Sequence, residues 1–159
     1  MNKNARLPEV EQGSEVFSVS PLILRWHQEI DYYSSYAQDT PFFLALSQGK
    51  LLGSHCPSCA RRYATPRGHC MECGSRTEWF ELPLEGTVHT FTTCFYSGEE
   101  FLGETPFHLI LVEFPGVDTL FMSRLIGVDP GEIHIGLPVR ARFRRLAQFK
   151  VTDVYFVPA

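Results

Sequence analysis

The sequence contains no long apolar run and no excess of positive charge. Its 159 residues include 14 Lys and Arg against 18 Asp and Glu, which gives a formal net charge of −4. No apolar stretch approaches the roughly 20 residues that a membrane-spanning helix needs, so we expect no membrane partner. Proteins that bind nucleic-acid backbones usually carry a basic excess, and this charge balance therefore argues against nucleic acid as a partner.

The N-terminal residues also lack the apolar segment of a secretory signal peptide, because residues 1–17 mix both charges with polar side chains. We therefore expect a cytoplasmic protein, in which cysteines stay reduced. The sequence contains only five cysteines. In a reducing compartment, paired C-x-x-C motifs indicate metal or redox chemistry before structural disulfides.

The first third of the chain begins with a polar segment and continues with a segment that carries helix-start signals. Residues 1–19 are polar and aperiodic, which predicts a flexible arm. Ser20-Pro21 and Thr40-Pro41 are both typical helix starts, with a capping hydroxyl followed by proline at the first helical position. Gly49 is a natural end for the second helix. These signals predict a helical hairpin over residues 20–50.

The last half of the chain alternates between apolar and polar residues, as strands do. Residues 51–82, which contain two C-x-x-C motifs, are predicted to form a zinc ribbon, and residues 83–159 a mainly β domain. Five short strands in so few residues favour a small barrel. The predicted strands are 86–95, 107–114, 119–126, 137–146 and 152–157.

Four of the five cysteines form two C-x-x-C motifs, Cys56/Cys59 and Cys70/Cys73. Two such turns can supply four thiolates to one tetrahedral metal ion at metal–sulfur distances of about 2.3 Å. A redox dithiol would use a single motif. Four thiolates leave no open coordination position, so the sequence predicts one structural Zn²⁺ and no catalytic metal. Iron in the same site, as in rubredoxin, is the alternative that the spacing leaves open.

The fifth cysteine, Cys94, is the one remaining candidate nucleophile. It falls inside a predicted strand, where a free cysteine is usually a small core residue. His89 lies five residues earlier and should point to the opposite face of that strand. No nucleophile–base pair emerges, and we predict that the isolated chain is not catalytic.

Two groups of arginines are candidate phosphate contacts, because guanidinium groups bind phosphate through paired hydrogen bonds. One group should share a single face of the fourth predicted strand, and the other lies in the ribbon. A nucleic-acid backbone and a phosphate-bearing ligand, which the family resemblance described below implies is CoA, are the two possible targets. A solvated charged face, or ion pairs with the acidic residues of a partner, is the alternative. The six residues are Arg61, Arg62, Arg67, Arg140, Arg142 and Arg144.

Aromatic residues cluster on the first predicted helix. Trp26, Tyr32, Tyr33 and Tyr36 fall within three turns of it. Burial in the core would be an ordinary explanation for such a cluster. Since the ribbon and barrel can close without this helix, we instead predict that it binds a partner protein, as aromatic residues commonly anchor interfaces.

Several short motifs follow one another along the chain between roughly residues 20 and 159. They are Trp26, Tyr33, Leu51-Leu52-Gly53, the four cysteines with Pro57-Ser58, Tyr63, Pro66-Arg67, Gly86-Thr87-Val88, Leu125-Ile126-Gly127-Val128 and Ile135-Gly136-Leu137-Pro138-Val139. Taken in this order, the motifs resemble a family whose members join an N-terminal helical hairpin, a rubredoxin-type zinc ribbon and an acyl-CoA-associated OB-fold domain. Ala64-Thr65 departs from the family pattern, which often has an aromatic residue and a second proline there.

The resemblance implies an accessory role. Members of this family usually accompany thiolase-fold enzymes, including acyl-CoA thiolases, acyltransferases and aldolases, or accompany CoA-ester hydratases. In the complexes with thiolase-fold enzymes, the thiolase-fold partner carries the catalytic cysteine. The implied function is a zinc-binding subunit of a hetero-oligomer that stabilises a thiolase-fold protein in acyl-CoA degradation and helps bind or channel the acyl-CoA. A nucleic-acid-binding module and a free-standing acyl-CoA-binding protein are the alternatives.

Overall fold

A computed structural model describes residues 9–12, 22–33 and 35–159 of the chain. It divides into two compact units, Met1–Ser35 and Tyr36–Ala159. In the first unit, β1 (Glu9–Gln12) pairs antiparallel with β2 (Leu22–Arg25). Across the described ranges, none of the helices has the length and apolar character that crossing a membrane requires.

The first predicted helix is wrong, and with it the helical hairpin. Ser20 and Pro21 lie outside the described residues, Leu22–Arg25 is a strand, and residues 26–33 have no regular secondary structure. Leu22, Ile23 and Leu24 pair with residues 9–12 of the predicted arm. Most helical stability in proteins comes from packing an apolar face, and the aromatic side chains of this segment stay exposed.

The second unit contains the remaining regular elements. Its second predicted helix is confirmed, since it starts at Thr40-Pro41 and ends before Gly49, which has a φ of +73°. Short 3₁₀ turns lie at Ala37–Asp39 and Val151–Asp153. The elements are α1 (Thr40–Ser47), β3 (Leu52–His55), β4 (Arg62–Tyr63), β5 (Glu78–Glu81), β6 (Glu85–Cys94), α2 (Glu99–Leu102), β7 (Phe107–Glu113), β8 (Phe121–Leu125), β9 (Pro138–Phe143) and β10 (Val154–Pro158).

Five strands close a barrel in the order β10-β8-β7-β6-β9, which confirms the predicted mainly β fold. Each of the five predicted strands is present, within a few residues of its predicted ends. Alternation places one face of each strand inside the barrel. On β7, His108, Ile110 and Val112 are buried, and on β9 Val139 and Ala141 are buried. The apolar–polar period of two therefore identified the barrel core correctly.

The strands β4, β3 and β5 form a separate three-stranded sheet, the ribbon, which packs on the barrel. Leu51, Ala64 and Leu82 of the ribbon segment lie in the same buried cluster as the barrel residues. The backbone N–H of Arg62 donates to Asp118 Oδ2 at 2.7 Å, and the N–H of Asp118 donates to the Arg62 carbonyl at 3.0 Å. Shared core and hydrogen bonds make ribbon and barrel one packed body.

The helix α1 also belongs to this body. Its Phe42 and Leu46 are buried in the main core, and the Phe42 ring lies 6.4 Å from that of Phe121. Tyr36 precedes α1, stacks on Phe43 at a centroid distance of 3.7 Å, and donates a hydrogen bond to the Phe149 carbonyl at 2.6 Å. The helix therefore closes one side of the barrel core.

Candidate metal centre and adjoining groove

The ribbon presents its cysteines on two turns built in the same way. In the first turn, the Cys56 N–H donates to the Arg61 carbonyl at 2.8 Å and the Ala60 N–H donates to the Cys56 carbonyl at 2.9 Å. The second turn repeats both bonds around Cys70 and Gly74, at 2.8 and 3.0 Å. Ala60 and Gly74 both have positive φ, +62° and +72°. Glycine adopts this conformation without strain, whereas Ala60 carries a cost of about 1–2 kcal/mol.

The two turns bring all four predicted ligands together. The sulfur atoms lie within 4.8 Å of one another, and the Cys56–Cys73 and Cys59–Cys70 pairs are both 3.5 Å apart. The Cys59–Cys73 distance is 3.9 Å. A tetrahedral ion with metal–sulfur bonds of about 2.3 Å places its ligands about 3.8 Å apart. The quartet therefore fits a zinc ion, which would tie the two turns together.

The thiols of the quartet lie so close together that neighbouring thiols shift one another's pKa values. The pKa of Cys73 is lowered, first by the side chain of Ser75 and then by its backbone N–H. The backbone N–H of Arg61 lowers the pKa of Cys59, but hydrogen bonding with Cys70, burial and the other two thiols raise it to about 12. Adjacent thiols cannot all ionise without a compensating cation. A bound Zn²⁺ would supply that charge and hold all four as thiolates.

Tyr63 contacts the metal site, a role that its position in the sequence did not indicate. Its hydroxyl lies 3.2 Å from Cys70 Sγ and accepts a hydrogen bond from the Met71 N–H at 2.9 Å. The hydrogen bond with Tyr63 is the largest of the effects that lower the pKa of Cys70 to about 6, and the same bond raises the pKa of Tyr63. The side chain is buried. With its oxygen already accepting from Met71, the hydroxyl proton is free to stabilise the Cys70 thiolate.

Tyr63→Phe is expected to weaken zinc binding about 10- to 100-fold, the usual loss when a hydrogen bond to a metal ligand is removed. The ring and its packing under Arg67 stay in place, because the Arg67 guanidinium carbon lies 5.9 Å from the ring centroid and does not touch the hydroxyl. Competition with a chromogenic zinc chelator measures the affinity. An unchanged dissociation constant would show that the hydroxyl does not support the Cys70 thiolate.

The predicted arginines do not form one site. In the ribbon, Arg61 pairs with Glu72 at 3.5 Å, and the Arg62 guanidinium carbon lies 4.5 Å from the Phe80 ring centroid. Of the barrel arginines, Arg140 and Arg142 lie on the exposed face of β9, and Arg144 is exposed just after the end of that strand. Arg140 pairs there with Glu85 at 3.7 Å, and Arg144 Nε donates to the Thr152 carbonyl at 3.1 Å.

Cys94 lies apart from the histidines nearest to it in sequence. It is half-buried at the end of β6, paired in register with Phe107. His108 instead faces into the barrel, where its Nδ1 lies 2.9 Å from Thr93 Oγ1. His89 sits at an irregularity between Val88 and Thr90, and its Nδ1 lies 3.1 Å from Glu113 Oε2. Each of these histidines is therefore engaged by a residue other than Cys94.

A groove of about 1240 Å³ adjoins the metal centre, between the start of α1 and the second cysteine turn. Of the predicted arginines, Arg67 lines it. Arg76 and Trp79, which also line the groove, were not singled out from the sequence. They are scattered through a segment without a motif, and only the fold brings them against α1.

Several known proteins are similar to this chain in sequence or in structure. A DUF35 domain-containing scaffold protein of Methanocaldococcus jannaschii is 26% identical over 100 residues, which cover 62% of this chain and 70% of the relative. The solved structure of the Ltp2-ChsH2(DUF35) aldolase contains a similar chain at 26% identity and a TM-score of 0.63, covering 76% of this chain and 93% of that one. A DUF35 protein of unknown function from Sulfolobus solfataricus, at 20% identity and a TM-score of 0.56, covers 76% and 84% and supports the fold alone.

Two consecutive segments of the chain match family models. Residues 45–78 match the rubredoxin-like zinc ribbon domain of ChsH2, and residues 79–144 match its C-terminal OB-fold domain. The order of the two domains is the order of the ribbon and barrel in the structure. The chain therefore belongs to the ChsH2 family, in which a rubredoxin-like zinc ribbon precedes an OB-fold domain.

Proposed function

We propose that this chain is the accessory, non-catalytic subunit of an enzyme complex that acts on CoA thioesters. Its partner has the thiolase fold, carries the catalytic cysteine, and performs acyl transfer or the related aldol chemistry in acyl-CoA degradation. The chain contributes a zinc-stapled body that stabilises the partner. In this role the metal centre is purely structural, because four thiolates leave it no open coordination position.

The observation that carries the proposal is the similarity to the Ltp2-ChsH2(DUF35) aldolase, of whose chain this one covers 93%. That name joins a ChsH2 protein to a second protein, Ltp2, in one enzyme. The archaeal relative is called a scaffold protein. Both names are consistent with a chain that works by organising another protein.

The first unit of the chain supplies a candidate contact for the partner. Trp26, Tyr32 and Tyr33 expose 63%, 86% and 98% of their surface, on a segment without regular structure. Tyr36, also proposed as a contact, is 41% exposed. Exposed aromatic residues are frequent energetic anchors of interfaces. A segment without regular structure can order on its partner, whereas a preformed helix was our sequence-based expectation.

The barrel supplies a candidate contact for the CoA thioester. Within the described part of the chain, the side chain of Arg142 has neither a hydrogen bond nor an ion pair, whereas those of Arg140 and Arg144 are both engaged. Its guanidinium group is thus available to a phosphate of CoA. A nucleic acid would need the whole row, and the engaged neighbours do not favour that alternative.

Co-expression of the full chain with the thiolase-fold proteins of the same organism tests the proposal. We expect one of them to co-elute with this chain in size-exclusion chromatography and to need it for solubility or for thiolysis or retro-aldol activity on acyl-CoA substrates. The proposal fails if no such protein assembles with the chain and each is fully soluble and active in its absence.

A further inference from the structure

The groove beside the metal centre is too large and open for a typical small-molecule site. Its volume is about 1240 Å³, whereas small-molecule pockets usually measure about 300–1,000 Å³. Pro41 and Leu44 of α1 form one wall, and Pro57 and Trp79 of the ribbon contribute to the other. Leu44 and Trp79 are partly exposed, at 48% and 38%. The groove therefore offers apolar surface along its length.

The side chains that line the groove carry a net positive charge, although the protein as a whole is negatively charged. Arg67 and Arg76 line the groove together with His69, against a single acid, Glu78, whose carboxylate lies 3.5 Å from His55 Nε2. The chain as a whole carries a net charge of −4. Residues directly opposite each other across paired strands point to one face. The bridge between His69 and Arg76 therefore puts these two groups side by side.

The Arg76 guanidinium group has no hydrogen bond or ion pair with any residue that the structure describes. A positive charge that is left unpaired in a partly apolar groove is complementary to a carboxylate brought by a ligand. Trp and Arg are, moreover, among the residue types most enriched in the energetic anchors of protein interfaces. Trp79 and Arg76 give the groove both types.

The walls of the groove are held in place before any ligand arrives. The Arg67 N–H donates to Ser54 Oγ at 2.9 Å, and the Thr77 N–H donates to the Gly68 carbonyl at 3.1 Å. Gln38 packs so closely on Gly68 that a Cβ added there would lie 2.6 Å from its Oε1. A preformed surface loses little entropy on binding, which favours affinity.

We propose that this groove binds an acidic segment of the partner subunit, with a large apolar side chain of that segment resting on Trp79 and Leu44 and its carboxylates reaching Arg67 and Arg76. The assignment rests on the proposed function. The partner would then contact two surfaces, the aromatic segment of the first unit and this groove on the folded second unit. The groove also defines what the partner must present, which is an acidic segment with a large apolar side chain.

The test measures the affinity of the zinc-loaded full chain for the thiolase-fold protein recovered in the co-expression experiment. We expect Arg76→Glu and Trp79→Ala each to weaken the complex at least about tenfold, the loss typical of an interface anchor. The Arg76→Glu variant should also show a weaker dependence of affinity on salt. Arg145→Glu makes the same charge change on an exposed residue outside the groove and should stay within about twofold of wild type. Zinc content reports whether each variant is folded.

Other occupants of the groove would give different results. If Trp79 fluorescence in a Trp26→Phe chain is quenched saturably by a CoA thioester, and Arg76→Glu removes the quenching without weakening the complex, the groove is a small-molecule site and the assignment is overturned. A homodimer of the isolated chain that Arg76→Glu dissociates would overturn it in favour of a second copy. If both groove variants form a normal complex, only the groove assignment is overturned. If the wild-type chain forms no complex, the proposed function is overturned together with the groove assignment.

Discussion

Replacing Cys56 with serine is expected to abolish zinc binding and to unfold the ribbon. Cys56 begins the first cysteine turn and is fully buried, and its sulfur lies 3.5 Å from that of Cys73 in the second turn. Structural zinc contributes about 10–16 kcal/mol to the folding of small zinc domains, which matches or exceeds the total stability of about 5–15 kcal/mol of a typical domain. Because Leu51, Ala64 and Leu82 share the barrel core, the barrel should lose stability as well.

Zinc content by atomic absorption and thermal unfolding by circular dichroism measure both effects. Cys94→Ser is the matched control, since it makes the same change on a cysteine outside the quartet and should leave one zinc per chain. If the Cys56→Ser chain retained wild-type thermal stability without metal, the zinc would not be what holds the ribbon together.

Removing α1 is expected to unfold the protein, whereas removing everything before Tyr36 is not. Deletion of residues 1–35 takes away one compact unit and leaves the other complete. Extending the deletion to residue 48 also removes Phe42 and Leu46, both buried in the main core. Truncating a buried Phe or Leu to alanine alone costs about 2–5 kcal/mol, so losing both with their helix should exceed the stability of a marginal domain.

Soluble yield, zinc content and denaturant unfolding of the two truncated chains provide the comparison. The shorter deletion should be zinc-loaded and cooperatively folded but should bind its partner weakly, because it lacks Trp26, Tyr32 and Tyr33. The longer deletion should aggregate or expose its barrel to protease. Equal stability of both chains would show that α1 is dispensable for the core.

The parts of the fold that local sequence determines were predictable. The C-x-x-C spacing identified the four ligands, because each pair needs only one tight turn to present two sulfurs. Alternation identified the barrel strands, since the period of two depends only on which face is buried. The start of α1 followed from a hydroxyl and a proline at Thr40-Pro41.

The first helix could not be predicted correctly, because helical spacing of Leu22, Trp26, Ile30 and Tyr33 does not guarantee a surface for the apolar face to pack on. Pairing of Leu22–Arg25 with residues 9–12 uses the same residues as a strand instead. Strand propensity depends on such tertiary partners more than helix propensity does. The spacing of these residues alone therefore could not decide between a helix and a strand.

The role of Tyr63 and the groove were missed for a related reason. Tyr63 reaches Cys70 only because the two cysteine turns fold back on each other. Arg76 and Trp79 face α1, which lies more than 25 residues earlier in the chain. Sites that depend on long-range contacts leave no local signature, so three-dimensional placement was needed to find them.

Native mass spectrometry of the chain co-expressed with its thiolase-fold partner is the sharpest test of a zinc-stabilised accessory subunit. We expect a hetero-oligomer in which every copy of this chain carries one zinc ion, and in which stripping that metal with a chelator releases the chain. A metal-free monomer of this chain, found beside a partner that turns over acyl-CoA without it, would contradict both the structural zinc and the accessory role.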